Sequence, residues 1–379
     1  MVDRAAGGPL TASSGRRAIL AAGLAAALPV AARGAEPDGL AALAAARGLS
    51  LGAMVCEYQL RETPALWPLV AREAAFVVPG LELKWGAVQP GPGRFDFAPA
   101  DALAARAKAA GLGLRGHALV WGEALPPWFD RNAGAAAMRR TLEAHIAAVA
   151  GHYAGRMQSW DVVNEPIAVQ DRRPDGLQAT PFLRALGPDY IPLALRWAAE
   201  ADPAAKLVIN EYDLEFPSRW QQDRRRATLE LLNRLVRQGA PLHALGIQAH
   251  LWPGRERFEP EVLRRFIRDV ASLGLEVYVT ELDIVDRELP AALVPRDAAT
   301  TALLRDYLAV VLSEPAVTLL ALWGLTDKYE WASGNAHARR RDGQPSRAHP
   351  FDTELRPKPD RAVIAAALRD VPRPRRAAP

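Results

Sequence analysis

Two stretches of this chain run from apolar residues into carboxylates. Ser159-Trp160-Asp161-Val162-Val163-Asn164-Glu165-Pro166 ends an apolar run in an amide, a carboxylate and a proline. Val279-Thr280-Glu281-Leu282-Asp283 has the same form, with Glu281 lying 116 residues after Glu165. Val162 and Val163 suit a buried strand, and Pro166 cannot extend a sheet ladder, so it helps to end one. A lone Asn-Glu-Pro is more often a strand running into a polar loop. Its repetition at a second, distant strand end points to chemistry that needs two carboxyl groups. Glycoside hydrolysis is such a chemistry: one group is the acid, the other a nucleophile or base.

Elements able to hold two distant glutamates side by side can be read from the alternation of the chain. Strand-like runs fall at Leu51–Cys56, Ala75–Val78, Leu112–Val120, the run into Asn164, Lys206–Asn210, Leu245–His250, Leu275–Leu282 and Val317–Leu322. Helical runs fall between them at Ala98–Ala110, Ala135–Ala154, Phe182–Ala201, Trp220–Gln238, Pro260–Leu273 and Arg296–Ser313. Gly111 and Gly239 close two of these helices as left-handed caps do. Eight strands alternating with helices, with no internal repeat or linker, predict an α/β chain forming a single (β/α)8 TIM barrel over 36–370.

The strand ends of such a barrel share one rim, and polar and aromatic residues collect there. They are Lys84 after the second strand, His117 and Trp121 after the third, and Asn164 and Glu165 after the fourth. Tyr212 follows the fifth, Gln248 and His250 the sixth, Glu281 and Asp283 the seventh, and Trp323 the eighth. Singly, each histidine or tryptophan is more often a packing residue, and Lys84 a solvated charge. Jointly they suit a sugar: acids for proton transfer, amides for hydroxyls, flat rings for pyranose faces.

Composition narrows the classes. Half of the 379 residues are hydrophobic, enough for a large core, and the formal charge is only +4. Residues 1–35 and the last nine residues each carry a net +3, so the chain between them is slightly acidic. The basic balance therefore argues for no nucleic-acid partner. Cys56 is the single cysteine, so no internal disulfide forms, and its apolar surroundings suit a packed thiol. The dispersed histidines give no metal spacing, no phosphate-binding loop is apparent, and no cofactor is expected. Residues 1–35 read as an export signal: Ser14-Gly15-Arg16-Arg17-Ala18-Ile19-Leu20 resembles a twin-arginine motif, followed by an apolar run too short to span a membrane. Periplasmic or secreted localisation, no stable membrane anchor and a monomer are expected. The Pro- and Arg-rich residues 371–379 read as a disordered tail.

The motifs together resemble glycoside hydrolase family 10, the β-1,4-xylanases. The matching stretches are Leu83-Lys84-Trp85, Arg115-Gly116-His117-Ala118-Leu119-Val120-Trp121, Trp160 to Pro166, Ile209-Asn210-Glu211-Tyr212, Gly246-Ile247-Gln248-Ala249-His250-Leu251, Thr280-Glu281-Leu282-Asp283-Ile284 and Leu322-Trp323-Gly324. Seven stretches in family order cover about residues 40–370. The resemblance implies a retaining endo-β-1,4-xylanase acting on xylan or a related β-glycan, with Glu165 as acid/base and Glu281 as nucleophile. It implies that Glu281 keeps Glu165 protonated, that Asn164 meets the sugar 2-hydroxyl, and that Asp283 orients His250 against Glu281. Lys84, His117 and Gln248 would serve the sugar beside the nucleophile, with Gln248 close to the nucleophile itself. Trp121, Trp323 and Trp331 would wall that sugar, and Tyr212 the leaving-group side.

Three positions depart from the family pattern. Gly80 and Leu81 stand where the family carries Glu-Asn for the next sugar on the glycone side, and Gly122 stands where it carries His. A weakened second glycone site is expected. The departures keep two alternatives in view: a β-glycanase of the same mechanism on another polymer such as glucan or mannan, and a catalytically weak carbohydrate-binding barrel.

Overall fold

The structure is a computed structural model describing residues 39–372. The expected export signal and all but the first two residues of the expected tail lie outside the described residues.

Eight parallel strands close into a barrel. They are β1 (Ser50–Val55), β2 (Phe76–Pro79), β3 (Gly113–Gly116), β4 (Met157–Asn164), β5 (Lys206–Glu211), β6 (Ala244–Ile247), β7 (Glu276–Ile284) and β8 (Val317–Leu322). Each pairs with the next in chain order, and β8 pairs with β1 through Ser50↔Leu319 to Ala53↔Leu322, which closes the ring. Closure leaves no sheet edge, and helices cover the outside, so the strands are buried on both faces. That is why they read as near-continuous apolar runs. One core fills the space between strands and helices. A second, smaller core fills the barrel lumen, where Met54, Phe76, Val78, Val208, Tyr278 and Leu319 meet below Trp323. Each such side chain contributes about 1.5–3 kcal/mol by leaving water.

Boundaries differ from the sequence reading where local chemistry intervenes. The predicted third strand, Leu112–Val120, stops at Gly116, and pairing with β4 resumes only at Val120–Trp121. The interruption sets His117 at the barrel mouth. The sixth strand likewise stops at Ile247, and His250–Leu251 then pairs with the end of β7. The predicted helix Phe182–Ala201 is two helices, Pro181–Leu186 and Tyr190–Ala201, because Gly187 takes a left-handed φ of 65° and Pro188 follows it. Among the helices without a clear sequence signal are Leu66–Glu73 after β1 and Pro359–Asp370 after β8. They are tied together by Arg361, which donates to Glu73 in a buried ion pair.

Candidate active site

All C-terminal strand tips point to one mouth, and a cavity of about 860 Å³ opens there. Eleven of the residues expected from sequence line it: Glu165 and Glu281, Lys84, His117 and Asn164, Tyr212, Gln248 and His250, and the indoles of Trp121, Trp323 and Trp331. Asp283 stands behind this wall, buried.

Glu165 follows the last residue of β4. Its backbone takes a left-handed φ of 55°, unusual for a non-glycine residue, and its N–H is held by the Asn210 carbonyl at 2.8 Å. The carboxylate accepts from Trp121 Nε1 at 3.0 Å, Gln248 Nε2 at 2.9 Å and Asn164 Nδ2 at 3.1 Å. All three donors are neutral. Burial pushes its pKa above the usual glutamate value, and the charges of Glu281 and Glu123 add to the rise. Burial is thus the larger cause, where the sequence reading gave that part to Glu281 alone.

Glu281 lies inside β7, in regular strand, and is buried. Asn210 Nδ2 donates to its Oε1 at 2.7 Å, His250 Nε2 lies 3.4 Å from Oε2, and His117 Nδ1 lies 4.0 Å from Oε1. Burial alone would raise its pKa, but the hydrogen bond from His250 and the charges of His117 and His250 outweigh it and hold it low. His250 is itself held well above the usual imidazole value: burial opposes the charge, and Asp283 at 2.7 Å and Glu281 overcome that opposition. Asp283 is fixed in turn by Trp331 Nε1 at 2.6 Å. The two glutamates therefore face opposite pressures, one toward the acid form and one toward the anion.

Gln248 lies beside both glutamates. Its side chain bonds Glu165, and only its backbone carbonyl meets the seventh strand, accepting from the Glu281 N–H at 2.9 Å.

Several side chains that the sequence motifs include, but to which the sequence assigns no role, support the site. Asn210 bridges the site, donating to Asn164 Oδ1 at 2.8 Å as well as to Glu281, while its own oxygen accepts from Thr280 at 2.6 Å. Gly246 makes room for it, since a Cβ there would lie 2.3 Å from Asn210 Oδ1. Arg115 forms a two-pronged ion pair with Asp161, whose Oδ2 also meets His117 Nδ1 at 2.9 Å. This pair is wholly buried. Removing Asp161 would strand a buried guanidinium, at a cost of about 3–5 kcal/mol. Arg224 pairs with Glu211, donates to the Tyr212 carbonyl at 3.1 Å and covers the Tyr212 ring at 3.8 Å. Glu211 also accepts from the Ile167 N–H at 2.9 Å, tying the turn after Glu165 to β5. The available signal was charge inside apolar runs: a charged residue in a strand buried on both faces must be paired.

The profile of glycosyl hydrolase family 10 matches residues 39–367. The chain belongs to glycosyl hydrolase family 10. It is 34% identical over 306 residues to endo-1,4-beta-xylanase 5 of Pyricularia oryzae, covering 78% of this chain and 69% of that protein. It is 35% identical over 272 residues to a beta-1,4-xylanase of Dictyoglomus thermophilum, covering 67% and 72%. Among solved structures, native xylanase 10B from Thermotoga maritima superposes with a TM-score of 0.77 at 28% identity, covering 87% of this chain and 98% of that one.

Proposed function

We propose that this family 10 hydrolase is a retaining endo-β-1,4-xylanase, with Glu165 as acid/base and Glu281 as nucleophile. The observation that carries the reading is that two glutamates in one sugar-sized groove have opposite surroundings, neutral donors around Glu165 and His250 with Asn210 around Glu281, which push their pKa values in opposite directions. The names of its relatives support xylan as the polymer.

In the first step Glu281 attacks the anomeric carbon while Glu165 gives its proton to the leaving oxygen. The bond to the leaving sugar breaks, and a glycosyl ester on Glu281 forms. The Glu281 charge is then gone and Glu165 has become an anion, ready to take a proton from water in the second step. That water attacks the anomeric carbon, Glu281 leaves as carboxylate, and the sugar keeps its starting configuration. Asn210 and His250 hold the two oxygens of the free nucleophile, so it is oriented before the attack.

The test is proton NMR of the fresh product from xylan, with mixed-linkage glucan and mannan alongside. Release of β-anomer first, from xylan in preference, is expected. An α-anomer would mean inversion, and preference for glucan or mannan would replace the polymer. We also propose export through Arg16-Arg17: Arg16→Lys with Arg17→Lys should leave the activity in the cytoplasm, and unchanged periplasmic activity would rule this out.

A further inference from the structure

The cavity around the two glutamates is one-sided. β7 contributes Glu281 from within the strand, the other elements from β3 to β8 and their loops also contribute to its lining, the loop after β2 contributes only Lys84, and β1 contributes nothing. The acid Glu165 marks the leaving-group side, and the groove continues from it past Gln170, Tyr212 and Trp220. A second sugar on the glycone side must lie the other way, beyond Lys84, over the tips of β1 and β2.

That corner is filled from below by sulfur. A Cβ at Gly80 would sit 2.5 Å from Met54 Sδ and 2.8 Å from Cys56 Sγ, so the space a side chain at position 80 would use is occupied. The two sulfurs touch at 3.9 Å and belong to the apolar cluster of the lumen, with Trp323 and Val78. Cys56 is no nucleophile: burial pushes its thiol up to about 12. Three carboxylate or amide side chains beside it are already engaged. Glu82 accepts from the N–H groups of Glu57 at 2.6 Å and Leu81 at 3.2 Å, Gln59 accepts from the Cys56 N–H at 3.0 Å, and Glu57 pairs with Arg61. Leu81 covers the rim, 46% exposed.

We propose that Met54 and Cys56 are specificity-determining residues that plug the glycone side, so the enzyme recognises one sugar there and draws its remaining affinity from the leaving-group side. This rests on the xylanase reading of the same site. Internal bonds stay within reach, because a chain can pass over the exposed Leu81, but the sugar lying there gains no side-chain hydrogen bond from positions 80 and 81. The preferred substrates are then xylosides and xylo-oligosaccharides with long leaving groups, whatever their length on the other side.

The experiment compares kcat/KM for 4-nitrophenyl β-xyloside and β-xylobioside on the full-length enzyme, with the β-glucoside and β-cellobioside pair run in parallel. The expected result is a xylobioside advantage below about fivefold. An advantage of about a hundredfold or more overturns the plug. Hydrolysis of the glucose pair alone overturns xylan as the polymer, and the length ratio within that pair still decides the plug. Hydrolysis of neither pair overturns both. Met54→Ala combined with Gly80→Glu, checked for folding by thermal melt, should raise the length advantage at least tenfold, because the carboxylate gains the vacated space. Gly80→Glu alone should not. If the double variant fails to fold, the wild-type ratio alone decides.

Discussion

At the tip of β4, Glu165 stands in a left-handed backbone turn and takes hydrogen bonds from an indole, an amide and a second amide. Inside β7, Glu281 stays in regular strand between an amide and two imidazoles. Both carboxyl groups are largely removed from water, so burial raises both. Only Glu281 has a charged imidazole, that of His250, against it, and its surroundings more than reverse the effect. The division of labour between identical side chains is therefore set by the partners on adjoining strands. His250 matters most among them, because Asp283 keeps it charged.

The largest expected effects break the comparison outright. Glu281→Ala should lose about 10⁴-fold or more in kcat on every substrate, on the scale of losing a covalent nucleophile. Glu165→Ala should lose about 10²–10⁴-fold on xylan, as for a general acid, but far less in the first step with a nitrophenyl leaving group that needs no proton. Steady-state and burst kinetics separate the two. Equal losses in the burst phase of both variants would erase the assignment.

Next comes the protonation of Glu165 after its neighbour is neutralised. With Glu281 trapped as a 2-fluoroglycosyl ester, the pKa of Glu165 should fall yet stay above the ordinary 4.5, because burial is the larger cause of its rise. Carbon-13 NMR titration of the labelled side chain reads this directly. A fall to an ordinary value would give the main part to Glu281 after all.

A smaller change probes the other glutamate. Asp283→Asn removes the anion that keeps His250 charged, so the Glu281 pKa should rise and the acidic limb of kcat/KM should move to higher pH. The rate should fall about tenfold or somewhat more, the scale of a charge-assisted hydrogen bond worth ~1.5–3 kcal/mol. An unmoved acidic limb would show that His250 does not need Asp283 for its charge.

The smallest effect sharpens the picture of the scaffold beneath. Buried Glu215 accepts from the N–H of Ala249, which has a left-handed φ of 65°, and so helps to fix the turn between Gln248 and His250. Burial and the charge of Asp213 raise it from 4.5 to about 7. An acid whose folded pKa is raised holds its proton more tightly in the folded state. Its contribution is complete below pH 4.5 and is lost as pH rises through 7, at most roughly 3 kcal/mol. Urea unfolding at pH 5 and pH 8 should show a smaller loss of stability for Glu215→Gln than for the parent. Equal losses would mean Glu215 is ionised throughout.

Legibility of the site varied with the physical role of each residue. Strand-tip residues such as Lys84, Asn164 and Tyr212 stand out because a polar group ending an apolar run has a local signature. Arg115, Asp161 and Asn210 sit within the buried strands, and their partners lie 46 to 71 residues away. Nothing local says which partner each one meets. Gln248 shows the same limit: its position at the rim was readable, but its choice of Glu165 over Glu281 was not. The helix at Leu66–Glu73 and the one at Pro359–Asp370 lacked clear end signals, and contact between them holds them in place.

By itself the sequence determined the alternation of eight apolar runs with helical ones, and hence the barrel, because composition and run length are properties of short segments. It also determined that two glutamates end two of those runs. Tertiary structure decided which glutamate meets histidines and which meets neutral donors, since those neighbours come from other strands. It also decided that Met54 and Cys56 fill the space above Gly80. A glycine in sequence only permits a close approach; which atoms make it depends on how β1 and β2 pack around the lumen.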